Sequence, residues 1–536
     1  RLVQMEAVVS TPEDRRAILY DAGLVSQTPG WSGLAWMSTG GTLQKARVTA
    51  GSPAVAQAVR HRTIMAETPH GTIAVFPPPH QFFYPLDQSN NLKFTWYGSK
   101  FRGLTRGTGL GVRQHFQGDR RFVPWFNAPP RTEQRLGFFC LLSRQDPSET
   151  LDEVLRYTHR DGFSALPGHH TFSSHYHFAH TADVLERRAR GLDATDTPEF
   201  ATILREMGVN ILHLAEFHGD GHARDTGDIR LNELHVMHQE CRRLSSKDFL
   251  LLPGEEPNVH FGGHWIDFFP RPVYWIMRRK PDEPFVADHP RYGRVYRVGN
   301  SDEMLELLKR ERGLAWTAHP RIKGSHGFPD KYRQSRFYQS DRFLGAAWKA
   351  MPADLSRPRL GWRVLDLLDD MNNWGARKFT PGEVDVFKID STHELYGHMN
   401  VNYLRLDAVP RFGNGWQPVL EALRGGRFFV STGEVLIPRF AIAGRQSGET
   451  VRGKPETADS VEISLRWTFP LKRVELVWSD GQRVQRTPVP GFPATPFGTR
   501  TIRTRLPSTT CRWVRLEAWD VAVNGAFTMP VWIDSP

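Results

Sequence analysis

Short apolar runs and amphipathic stretches take turns along the chain from residue 148 to residue 440, and few architectures accept that order. The series opens with SETLDEVLRYTHRDG (148–162), where a hydroxyl-bearing start and a glycine stop bracket a helix with one apolar face. Strands are predicted in VNILHLAEFH (209–218), DFLLLPGEE (248–256), GHWIDFFP (263–270), LAWTAHP (314–320), VDVFKID (384–390) and GRFFVSTGE (426–434). Between them fall predicted helices: RLNELHVMHQECRRLS (230–245), SDEMLELLKRERG (301–313), and stretches around 335–350, 361–374 and 415–424. Strands that follow one another through helices pair in parallel, because the crossover carries the chain back to start the next strand at the same end. A parallel α/β sheet or barrel is therefore expected.

The flanks read differently. Residues 1–147 hold short apolar runs such as GTIAVF (71–76), LKFTWYG (92–98) and LGFFCLLS (136–143) between Pro and Gly clusters, the pattern of a β-sandwich-like domain. Residues 441–536 return to alternating runs, VEISLRWTF, RVELVWSDG, RTIRTRLP, WVRLEAWD and PVWI, which predict a small C-terminal β-sandwich-like domain. Three domains, 1–147, 148–440 and 441–536, suit a chain of 536 residues, because single cores stop growing beyond about 250–300. The aromatic segments FPPPHQFFYPLD and RRFVPWFNAPP fit either packed core or a sugar-binding face.

Composition narrows the function classes. No apolar run approaches the roughly 20 residues that span a bilayer. Cys140, Cys241 and Cys511 lack any CxxC spacing, which argues against a disulfide scaffold and a Cys-type zinc site. The net charge of +11 comes from arginines spread along the chain, without a basic helix or an aromatic RNA-binding motif. A nucleic-acid partner is not expected, whereas attraction of anionic substrates is. Beginning at Arg1 without an initiator methionine, the chain fits a periplasmic or secreted enzyme whose leader was removed, and equally a trimmed chain.

In β/α barrels functional side chains stand just past the C-terminal ends of the strands. Here the predicted strands run into His218, into Glu255 and Glu256, into His319 and into Glu434. The stretch HHTFSSHYHFAH (169–180) adds His175 and His177, whose i, i+2 spacing on an extended segment points both rings to one side. His264 stands eight residues after Glu256. Imidazole and carboxylate donors together suit zinc, manganese or iron, with zinc favoured by the many histidines, and this number of them suffices for two or three divalent ions per chain. Such a centre acidifies a bound water and clamps substrate oxygens during hydrolysis. Taken singly, a strand-end histidine is more often a hydrogen-bonded structural group than a ligand; their order along the alternating segment carries the metal reading. His235 and His238, at i, i+3 in a polar helix, are assigned to a solvated face.

The order of these motifs resembles the PHP (polymerase and histidinol phosphatase) superfamily, in the branch of metallohydrolases grouped with carbaryl hydrolase, the CehA/McbA type. SHYH (174–177) is similar to the first HxH motif, AEFHGD (215–220) to the TDH motif and PGEEPNVHFGGH (253–264) to a G-x-E followed by GH. TAHP (317–320) and GRFFVSTGE (426–434) are similar to the motifs of the last strands. The resemblance covers roughly residues 150–440 and implies a distorted TIM-like barrel. It also implies metal ligation by His175, His177, His218, Glu256, His264 and His319, with Glu256 rather than Glu255 matching G-x-E. Departures fall at three places. No clear Asp stands shortly after HYH, Phe217 stands before the histidine of the second motif, and Glu434 has no histidine after it where the superfamily carries DxH.

What the resemblance implies chemically is a metal-dependent hydrolase that cleaves an ester-type bond in a small or oligomeric substrate. The superfamily acts mainly on phosphoesters, and this branch includes carbamate and carboxylester cleavage. Metal-bound hydroxide would be the nucleophile, with no covalent enzyme intermediate. Asp220, close to His218, and His393 are the candidates for protonating the leaving group. Arg224, Arg321, Lys323 and Lys388 are candidate cations for substrate oxygens. A different class, a degenerate relative that binds carbohydrate or a surface ligand through its aromatic β modules, is separated from the enzyme by metal content and turnover. No GxSxG elbow or P-loop competes.

Overall fold

The computed structural model describes residues 1–534 except 15–16, 19–20, 28–29, 48, 81–93, 104–105, 114–125, 217–226, 352, 388, 391–398 and 454–459. It is a mixed α/β structure, with strands in several sheets and eight α-helices among the described residues.

Strict alternation builds the N-terminal part. Six antiparallel strands lie in the order Leu2–Val9, Gln134–Ser143, Gly71–Phe76, Ile64–Thr68, Gly33–Met37, Leu43–Arg47. One face presents Leu34, Trp36, Ile64, Ala66, Val75 and Phe138, which pack with Leu110 and Val112 of a second, four-stranded sheet. The residues between them, Ala35, Met65, Ala74, Phe76, Phe139 and Leu141, face helix α1 (Pro147–Tyr157) and the C-terminal Phe469 and Ala522. Asp146 caps α1 by accepting from the Glu149 amide at 3.0 Å. Most of both aromatic segments lies outside the described residues.

The strands of the central part are numbered from its first. β1 (His169–Tyr176), β2 (Ile211–Leu214) and β3 (Leu250–Leu252) are parallel neighbours. In a second sheet β4 (Trp265–Phe268) is antiparallel to β5 (Leu314–Thr317), and β5 is parallel to β6 (Phe343–Ala346). The helices that follow α1 are α2 (His180–Ala189), α3 (Glu199–Glu206), α4 (Asp228–Leu244), α5 (Ser301–Arg310), α6 (Arg336–Gln339), α7 (Trp362–Asn373) and α8 (Gln417–Arg424).

Two links join these sheets edge to edge. Beyond β3 the chain runs against β4, with the Asp267 amide donating to the Glu255 carbonyl at 3.2 Å and the Trp265 amide to the Pro257 carbonyl at 3.1 Å. On the other side, residues 379–386 make parallel bridges from Phe379 to Gly345, Gly382 to Trp348 and Val386 to Tyr176. Consequently the C-terminal ends of β1, β2, β3, β5, β6 and this segment face one way, and β4 begins on that same side.

Three local expectations change. The helix predicted around 335–350 shrinks to α6, and its second half is β6, whose residues are all buried, as in a sheet covered on both faces. Among the described residues VDVFKID forms no regular strand: it makes one bridge, from Val386 to Tyr176, and Asp385 takes a left-handed φ of 60°. An antiparallel strand unannounced by the alternation, β7 (Val401–Arg405), enters between β1 and β8 (Phe428–Ser431).

Beyond β8 the sheet does not stop. β8 pairs with Gly525–Thr528, which pairs with Trp513–Asp520, so one ladder runs from β3 into the C-terminal strands. A single cluster of buried apolar side chains extends from Leu136 to Ile533. Inside it Arg515, fully buried, reaches Asp369 of α7 at 2.6 Å and Glu517 at 2.7 Å. No described helix is long and apolar enough to cross a membrane.

Candidate metal centre

β1 ends in a kink. Its pairing with β2 slips between Ser174 and Tyr176, and His175, in the slip, has a φ of 76°. The extended spacing predicts a common face for His175 and His177; the bulge goes further and turns their rings until the two Nε2 atoms are 3.0 Å apart.

At the end of β3 the pleat sends Glu255 and Glu256 to opposite sides. Glu255 is occupied by Arg230 of α4 at 2.8 and 2.9 Å and by the Trp275 indole N–H at 2.9 Å. Glu256 turns to the histidines. Its Oε2 lies 3.3 Å from His175 Nε2 and 3.1 Å from His177 Nε2, and its Oε1 lies 2.8 Å from His319 Nε2 and 3.0 Å from His264 Nδ1. Residues 383–385 complete the group. Asp385 Oδ1 is 3.6 Å from His175 Nε2 and 3.9 Å from His177 Nε2, while its Oδ2 meets the buried Lys349 Nζ at 2.7 Å. Glu383 Oε2 accepts from His175 Nδ1 at 2.8 Å, and its other oxygen accepts the His319 amide.

Two buried sets could therefore hold a metal ion, His175–His177–Asp385 and His175–Glu256–His319. Donors around a tetrahedral zinc with bonds of about 2.0–2.1 Å are separated by ~3.3 Å. Separations of 3.0, 3.1, 3.3, 3.6 and 3.9 Å among His175, His177, Glu256 and Asp385 fit that cage. The Glu383–His175 bond fixes the imidazole so that Nε2 faces the centre, the outer support that ligating histidines use. His175, His319 and Asp385 all hold left-handed backbone, with φ of 76°, 28° and 60°. Strain of about 1–3 kcal/mol at each such residue persists where a site depends on it.

Electrostatics agree with the donor set. Burial by itself would lower His175, but the carboxylates of Glu256, Glu383 and Asp385 outweigh it and lift the ring to about 10. Burial pushes His177 down to about 4 against the pull of Glu256. An ion held there would thus displace a proton from His175 and none from His177 throughout the neutral range. Metal affinity is expected to rise about tenfold per pH unit below the His175 value, with one proton released per ion. Calorimetry in buffers of different ionisation enthalpy measures that proton, and an affinity flat between pH 6 and 8 would contradict the assignment.

Of the residues expected as ligands, the structure brings together His175, His177, Glu256, His264 and His319. His218, Asp220 and His393 lie outside the described residues. Glu434 is not in the group: it accepts from Thr432 Oγ1 at 2.8 Å and lies 3.6 Å from His80. The cause is β7, which sets β8 two strands from β1, roughly 10 Å away. Sequence reasoning missed Glu383, Asp385 and Lys349, although the Asp in VDVFKID was a visible signal. Arg321 is bound in ion pairs with Asp330 and Asp370, both at 2.8 Å, and Arg224, Lys388 and the Lys323 side chain are outside the described set. His238 is buried rather than solvated, edge-on to Tyr274.

No family model matches the chain, and no curated protein matches it. Among solved structures, the crystal structure of an engineered protein aligns over 71% of this chain and 88% of its own at 12% identity, with a TM-score of 0.18. A likeness at that level says nothing about fold or site.

Proposed function

We propose that the chain is a metal-dependent hydrolase of ester-type bonds, and that its central part closes into a distorted TIM-like barrel of the PHP kind. In this reading the strands run β1, β2, β3, β4, β5, β6 and 379–386 around the barrel, with the two edge-to-edge links as its seams. The observation that carries the function is Glu256, whose two oxygens face two histidine pairs at the mouth where the parallel strands end. Four imidazoles with carboxylates favour zinc, with manganese or iron as substitutes. A divalent ion held there would polarise the scissile bond and acidify a water.

The chain's own residues then have distinct tasks. Glu383 holds the His175 ring, and Lys349 holds Asp385. His264, whose side chain is 27% exposed, marks the side from which a substrate reaches the centre. Asp220 and His393 remain the candidates for protonating the leaving group. The Asp-x-His that the resemblance calls for finds its aspartate in Asp385; Phe387 stands two residues on, with its ring 4.3 Å from that of His177. One histidine of the superfamily pattern is thus replaced by a stacking partner.

Elemental analysis of the purified chain, combined with phosphoester, carboxylester and carbamate substrates, tests the proposal. Bound transition metal with turnover of one class is expected; a metal-free chain that stays inactive with added Zn²⁺ or Mn²⁺ refutes it. His177→Ala is expected to lose metal and activity together, because it removes one donor of the buried cage. Retention of both would take His177 out of the site.

A further inference from the structure

The end of β1 remote from the candidate metal centre is crowded with cations. β1 begins at His169, six residues before His175, so about 20 Å of extended chain separates that end from the rim. There His169 is paired with Arg405, the last residue of β7. The Arg405 amide donates to the carbonyl of Arg427, just ahead of β8, at 2.9 Å. Across three neighbouring strands the register thus sets His169, Arg405 and Arg427 in one row.

Like charges directly opposite each other on paired strands destabilise the pair. Arg405 is half-buried, and among the described residues neither its guanidinium nor that of Arg427 has a carboxylate at ion-pair distance; Arg405 Nη2 donates to the Ser447 carbonyl at 3.2 Å. Arg439, from the strand Val435–Ile442, lines the same open crevice as His169 and Arg405, against an apolar wall that includes Phe429 and Phe440. Its Nε is 2.9 Å from Glu462, and 40% of its side chain is exposed. The crowding is electrostatic as well as geometric. Burial, together with Arg427 and Arg439, lowers Arg405 against the pull of Glu449. Burial, Arg405 and His170 lower His169 in spite of the Pro167 carbonyl that its ring meets. A half-buried guanidinium beside two others is costly unless an anion joins it. The group that suits two such forks is one with several charged oxygens, because each guanidinium can then give two parallel N–H bonds.

We propose that this crevice binds a tetrahedral oxyanion, free phosphate or sulfate or the same group on a larger molecule, held between Arg405 and Arg439 with His169 beside it. The anion supplies the charge that the row lacks. Arg405 belongs to the central sheet and Arg439 to a strand beyond it, so the bound anion also ties the two together. None of the metal-centre residues takes part, and the site stands or falls independently of that reading.

The test is titration of the EDTA-treated full chain with inorganic phosphate at constant ionic strength, by calorimetry and by thermal unfolding. One saturable equivalent is expected, with an unfolding midpoint that rises with phosphate, as for a ligand that binds the folded state alone. Arg405→Met and Arg439→Met should each weaken binding by roughly tenfold or more, the worth of a hydrogen bond to a charged group. Inorganic sulfate beside glucose 6-sulfate distinguishes the two sources, since the tighter binder shows whether the site takes the free ion or the group on a larger molecule. The proposal is overturned if the unaltered chain shows no saturable binding. It is equally overturned if either folded variant keeps the parent affinity, and Arg439→Met, altered at a partly exposed side chain, decides this even if Arg405→Met does not fold.

Discussion

If the proposed function holds, Glu256→Gln is expected to strip the chain of metal and to lower hydrolysis by more than about 100-fold, beyond the range seen when only the outer support of a ligand is lost. Glutamine keeps the length and shape of the side chain but presents one oxygen where the carboxylate presents two. Whichever way the amide turns, its NH₂ faces either His175 and His177 or His264 and His319, all within 3.3 Å of a carboxylate oxygen now. It also removes one of the charges that draw a divalent ion into a buried site. The fold should survive, because a buried carboxylate gives way to a neutral group of the same volume. The measurements are metal content per chain and turnover after purification with Zn²⁺ present. A variant that keeps its metal and its activity would show that Glu256 is a hydrogen-bond partner of histidines and nothing more.

Arg515→Met is expected to destabilise the chain by about 3–5 kcal/mol, the usual cost of removing one partner from a buried ion pair. The guanidinium holds Asp369 of α7 and Glu517 of the C-terminal strand, so its loss leaves carboxylates facing each other across the central and C-terminal parts. Burial alone would raise Glu517, but Arg515, Arg359 and Arg486 hold it well below the usual carboxylate range. A carboxylate lowered in this way contributes stability that is complete above its ordinary value of 4.5 and is lost as the pH falls through its folded value. Without Arg515 that folded value rises, so acid unfolding should begin at a higher pH than in the parent. Denaturant unfolding at neutral pH and an acid titration followed by circular dichroism measure both effects. Unchanged midpoints in the two would mean that Arg359 and Arg486 suffice.

The two predictions sit on opposite sides of what the sequence makes legible. The paired glutamates after FLLLPG, the GH before WIDF and the AHP after LAWT are ends or starts of apolar runs, and HYH is a local i, i+2 spacing. An apolar run followed at once by a donor is a local signal that survives without knowledge of the fold. Five residues of the centre, His175, His177, Glu256, His264 and His319, were visible for this reason. Glu383 and Asp385 were passed over, although Asp385 stands inside an apolar run, because they belong to a segment that bridges two neighbours without forming a strand, and its direction is fixed only by those neighbours. Glu434 satisfied the local rule and still lies elsewhere, since β7 separates its strand from β1.

The sequence by itself determined the alternation of the central part, the β character of both flanks, and the residue types and order of a rim that could hold a metal ion. Each of those rests on periodicity or on adjacency in the chain. Only the tertiary structure decided which aspartate joins the histidines, which glutamate holds the His175 ring and which lysine meets that aspartate. Those choices follow from a bulge at His175, from left-handed backbone at Asp385 and from strands paired across more than a hundred residues, and none of these has a signature in a short window of sequence.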